Sequence, residues 1–158
     1  MEKSMKNKTK RHDLPTEHGN IDLSDFLGTD RRPLPEIIRA DEKELKKIKL
    51  TCKAMAARME YLRKAAEKGL GEYVAVAPNI EASCEVARGF LPCPFGEAGL
   101  HRKTVVTVRN LRLNKEISFS DLNIHLIAAH GFFEGDKSPF RLEPAELAQV
   151  LEIKDPGA

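Results

Sequence analysis

Leu45, Ile48, Cys52, Met55, Met59, Leu62 and Ala66 recur at alternating spacings of three and four, and directly after them the apolar period shortens to two. One element cannot satisfy both periods, so the chain must place a helix ahead of strands. Residues 41–68 read as one long amphipathic helix, about 42 Å at 1.5 Å per residue. Asp41, Glu42 and Glu44 in its first turn and Arg63, Lys64 and Lys68 near its end match the helix dipole, and Gly69 and Gly71 supply the stop.

Beyond it, residues 73–77 and 80–87 flank Pro78-Asn79. In the second run Glu81, Ser83 and Glu85 alternate with Ala82, Cys84 and Val86, which predicts a hairpin with one wet face. A loop over 88–102, carrying Gly89, Pro92, Pro94, Gly96 and Gly99, leads to a second strand pair over 104–111 and 116–119 that turns near Asn114-Lys115. Ser120 is placed to cap a helix over 121–130 that Gly131 ends, and Pro144 opens a last helix with Leu147, Val150 and Leu151 on one stripe. The expected fold is α+β: a long N-terminal helix packed on a four-stranded antiparallel sheet, with two short C-terminal helices.

A chain of 158 residues is one domain by size, and such a domain buries roughly 68–70% of the surface its unfolded chain exposes, enough for a core without staples. Residues 1–35 are expected to stay outside that core, as a flexible basic arm with Lys3, Lys6, Lys8, Lys10 and Arg11 and then a polar leader broken by Gly and Pro. Ile21, Leu23, Phe26 and Leu27 form a short apolar cluster in the leader, able to dock on the body or on a partner. The domain proper spans 36–154, and 155–158 is a frayed tail.

The richest place for chemistry is the run from Phe119 to Glu134, where His125 and His130 sit on the most apolar stretch of the chain. Five positions turn about 140° around a regular helix, so aiming both imidazoles at one ion requires distortion at His130, which Gly131 permits. The spacing lies within the range of zinc sites, and with Cys93 and His101 the two histidines complete a four-ligand Cys/His set. The segment resembles the helical half of a Cys2His2 zinc finger only in part. The nearest thiols are Cys84 and Cys93 instead of two cysteines two to four residues apart on a hairpin just upstream.

Alternative roles follow from the same residues. His125 can be a packed core histidine and His130 a cation at a helix C-terminus. Cys93, stiffened between Pro92 and Pro94, can be a plain loop cysteine or a nucleophile served by His101 or His125. The loop from Gly131 to Arg141 has the wrong glycine spacing and flanking elements for a phosphate-binding P-loop. It reads instead as a hinged loop whose Phe132, Phe133 and Phe140 either present a contact surface or plug the core.

A formal charge of +2, from 26 Lys plus Arg against 24 Asp plus Glu, excludes a global field for nucleic acid or anionic lipid, leaving only a weak local case through the basic arm and the helical lysines. No apolar run approaches the ~20 residues of a membrane span. Three cysteines and no secretory h-region point to a reducing, cytoplasmic setting. Two functions follow. The first is a non-enzymatic binding or regulatory module that uses the long helix, for a protein partner or a homodimer, and the loop 131–141 as contact surfaces. The alternative is a zinc-binding protein with Cys93, His101, His125 and His130 as ligands, and a metal-dependent hydrolase if one coordination position stays open.

Overall fold

The structure is a computed structural model that describes residues 23–154. The expected basic arm and frayed tail lie outside the described residues, apart from the end of the leader. Helix α1 (Ser24–Leu27) and helix α2 (Leu34–Lys47) come first, followed by α3 (Cys52–Glu67). Four strands follow, β1 (Val74–Ala77), β2 (Ile80–Pro92), β3 (Leu100–Asn110) and β4 (Lys115–Ser120), and the chain closes with α4 (Asp121–His130) and α5 (Pro144–Val150). The sheet is an antiparallel meander in the order β1-β2-β3-β4.

The long helix over 41–68 is therefore two helices, and the reason is local. Lys49 adopts a left-handed φ of 59°, Ile48 and Leu50 both donate backbone N–H bonds to the Leu45 carbonyl, and Thr51 starts afresh by accepting the Ala54 N–H at its Oγ1, 3.1 Å away. The interruption leaves Leu45, Leu50, Met55, Met59, Leu62 and Ala66 all buried in one core. The apolar stripe thus continues across a break in the backbone. Helix α2 also begins earlier than the stripe, because Pro35 sits in its first turn, where no N–H is needed.

The leader is not loose from Leu23 onward. Leu23 and Leu27 are buried, the Phe26 carbonyl accepts the Gly135 N–H at 2.7 Å, and Thr29 N–H donates to the Asp136 carbonyl at 3.1 Å. The backbones pass so close that a Cβ on Gly135 would stand 2.2 Å from the Leu27 carbonyl oxygen. Opposite this segment, Arg141 holds Asp41 through two bonds of 2.6 and 2.8 Å with both side chains mostly buried. Phe132 and Phe133 are fully buried and only Phe140 is partly exposed. The loop 131–141 therefore packs Phe132 and Phe133 inward and leaves only Phe140 at the surface.

Strands β2 and β3 run further than their alternation predicts, pairing through Pro92 opposite Leu100, with an irregularity between Ala87 and Phe90 where Gly89 has a φ of 98°. The connecting loop shrinks to residues 93–99, and His101 becomes a strand residue opposite Leu91. The larger core lies between α3, α5 and the sheet. A smaller cluster of Leu23, Leu27, Ile37, Cys93, Leu122, Leu126 and Phe132 lies on a second face of α4, whose Ile124 and Ile127 belong to the larger core.

Candidate metal centre

Two segments build the site. The first is α4, fixed at its start by a reciprocal cap in which Ser120 Oγ accepts the Asn123 N–H at 3.1 Å while Asn123 Oδ1 accepts the Ser120 N–H at 2.9 Å. At its end Gly131 takes the left-handed conformation, φ 63°, and donates to the Ile127 carbonyl. The helix stays regular through His130 and leaves its path only at Gly131, so no distortion at His130 is needed. The second segment is the turn after β2, where Gly96 N–H donates to the Cys93 carbonyl at 3.0 Å and folds residues 93–97 back on themselves. Phe95 N–H donates to the Cys93 sulfur at 3.4 Å, and the Phe95 ring stacks on His130 with centroids 4.1 Å apart. That stacking docks the turn on the end of the helix.

The consequence is a convergence of four donors. One ligand atom from each of Cys93, Glu97, His125 and His130 lies within 4.8 Å of every other. Cys93 Sγ is 3.5 Å from His130 Nε2, His130 Nε2 is 3.3 Å from Glu97 Oε1, and His125 Nε2 is 2.9 Å from the same oxygen. The corners of a tetrahedron drawn around zinc at 2.0–2.3 Å are about 3.3–3.8 Å apart, so this spacing needs only small adjustment to take one ion. His125 Nε2 is buried and faces the Glu97 carboxylate without a well-aligned hydrogen bond.

His101 stands outside this quartet. Its ring lies against that of His125, centroids 4.3 Å apart, and its Nε2 is likewise buried without a hydrogen bond. Burial holds both His101 and His125 below the ordinary imidazole value of 6.5, with the neighbouring His125 adding to the effect on His101 and Glu97 partly opposing it on His125. Both imidazoles are accordingly neutral near pH 7, the form that ligates metals. Asp121, on the first turn of α4, is buried enough that its carboxyl is pushed above the usual carboxylate range, with Arg63 at 3.4 Å partly opposing this.

Cys93, His125 and His130 thus come together and His101 is displaced from the set by Glu97, which the sequence reading missed. A usable signal lay in the run Cys93-Pro-Phe-Gly-Glu97, where a proline and a glycine between a thiol and a carboxylate invite a turn that returns the fifth residue beside the first. Alternation predicts the strand only from Thr104, whereas β3 already includes His101, opposite Leu91, with its ring against that of His125. The remaining thiols take no part: Cys84 is buried, Cys52 is half-buried, and burial pushes both above the usual thiol range. Comparison with protein-family models, with curated proteins and with solved structures finds no match for this chain, so the site is read from its own chemistry.

Proposed function

We propose that this chain is a zinc-binding protein in which Cys93, Glu97, His125 and His130 hold one ion that fastens the turn over 93–97 to the C-terminal end of α4. The observation that carries the reading is the quartet of ligand atoms lying within 4.8 Å of one another, two of them brought from a turn and two from a helix. One thiolate with two imidazoles and a carboxylate is a borderline-soft set that suits zinc better than calcium or magnesium, which take oxygen alone. Four protein ligands close the coordination sphere, as in structural sites. The ion's role is then to brace a region whose apolar cluster is small.

A nucleophilic Cys93 is the competing chemistry, since His130 Nε2 at 3.5 Å is within reach of its sulfur. Cys93 is only 2% exposed, which denies a substrate carbon access to it, whereas an ion needs no such approach. The test is metal content and spectroscopy. Protein purified without chelator is expected to hold one zinc per chain, and cobalt substitution should give a single-thiolate charge-transfer band in the near ultraviolet. Both should vanish in Cys93→Ser and His125→Ala and persist in His101→Ala. Failure to take up zinc from a buffered supply, or uptake unaffected by Cys93→Ser, refutes the reading.

A further inference from the structure

A cavity of about 380 Å³ lies between the β2–β3 hairpin and the segment made by α1 with the loop over 134–140. Its volume falls in the range of small-molecule pockets, roughly 300–1,000 Å³. The walls are predominantly apolar: Phe26 from α1, Leu91 from β2, Val105 from β3, Leu122 from α4 and Phe140 from the loop. Lys103 also lines it, on the face of β3 that carries Val105, whereas Arg102 before it belongs to the opposite face of the strand; among the described residues Lys103 has no carboxylate within ion-pair distance. Asp25 is on the α1 side, and Glu134 has both carboxylate oxygens occupied, by Asn123 Nδ2 at 3.0 Å and Ser138 Oγ at 2.6 Å.

We infer that this cavity binds a small amphiphilic anion, a monocarboxylate with an apolar body, the body against Phe26, Leu122 and Phe140 and the carboxylate on Lys103. An apolar cleft gains free energy from burying a hydrocarbon body, and a cation that lacks a carboxylate partner among the described residues favours an anionic head over a neutral or cationic one. The cavity is also rigidly framed. Its α1 wall is tied to the loop by Gly135 N–H donating to the Phe26 carbonyl at 2.7 Å, and Asp30 Oδ2 accepts the Asp136 N–H at 3.1 Å. This inference stands apart from the zinc reading, because no member of the metal quartet lines the cavity.

The test is calorimetric titration of the zinc-supplied full chain with decanoate below its micelle concentration, beside decanol and decyltrimethylammonium. Decanoate is expected to bind saturably at one site, and the cation at least about tenfold more weakly. The variant K103E should weaken decanoate by roughly tenfold or more. Ala87→Trp, at an exposed strand position that lines the cavity, should abolish binding by filling it. Unchanged melting temperature and zinc content in these surface variants will show that they fold. No saturable decanoate binding, equal affinity for the cationic amphiphile, or wild-type affinity in Ala87→Trp would each overturn the proposal.

Discussion

The two apolar clusters of this protein are built on different principles. The larger, around Met55, Met59, Leu62, Val106, Val108, Phe119 and Leu151, is closed by side chains from four helices and the sheet. It contains little that is polar beyond Asn110, which satisfies itself by donating from Nδ2 to the Val150 carbonyl at 3.1 Å. The smaller, around Leu27, Ile37, Leu126 and Phe132, abuts three imidazoles, a thiol and a carboxylate. Dry packing can stabilise the first by area alone. Beside the second lie the imidazoles of His101 and His125, whose Nε2 atoms are buried without a well-aligned hydrogen bond, so the stability of this region depends on what those atoms bind.

The contrast can be broken most forcefully at the buried ion pair that ties α2 to the loop. Removing one partner, as in Asp41→Ala, leaves the buried Arg141 guanidinium with only the more exposed Glu143 carboxylate and the Glu134 carbonyl and should cost up to about 3–5 kcal/mol, while replacing both by apolar residues should cost much less. Denaturant unfolding of the two singles and the double decides it. Equal loss in the double would show that the pair stabilises in its own right. Phe119→Ala in the larger core should cost a similar 3–5 kcal/mol, yet leave zinc stoichiometry intact if the two clusters are as separate as their composition implies.

Next in size is the effect of the metal. Stripping zinc should lower stability by about 2.7 kcal/mol where free zinc stands at a hundred times its dissociation constant. Hydrogen exchange should locate the loss at residues 91–101 and the C-terminal half of α4, with α3 unaffected. Uniform loss across both clusters would sink the distinction drawn here.

A smaller effect comes from acid on the metal-free protein. With His101 and His125 held below 6.5 in the folded state, the unfolded chain takes up protons first as pH drops through 6.5, so stability must fall from there down and level off once the folded histidines also titrate. Urea unfolding at pH 7.5 and 5.5 measures this fall. His101→Gln should flatten it without removing zinc binding. The smallest change expected is Ser120→Ala, which deletes the cap of α4 and should cost typically about 1 kcal/mol, with a modest weakening of zinc affinity because His125 and His130 ride on that helix.

Much of this architecture is legible in the chain. The capped helix from Asp121 to His130 announces itself through Ser120 and Gly131, and the four antiparallel strands through alternation and turn residues. The break at residues 48–51 left no apolar signature, because the stripe from Leu45 to Ala66 keeps its phase well enough across it, and Thr51 looks like any helix residue until its hydroxyl is seen accepting an N–H. In the site, Cys93, His125 and His130 stand out as chemistry-bearing types. Glu97 does not, being one acid among 24 Asp plus Glu.

Sequence alone therefore determined the element types from residue 52 onward, the helix that carries two imidazoles and the candidate thiol, since each follows from local periodicity, capping or residue chemistry. Tertiary structure alone decided that one carboxylate joins them and that His101 does not. Convergence on a point depends on how far β2 and β3 extend and where the turn between them folds back, and those are consequences of long-range pairing that no local pattern records.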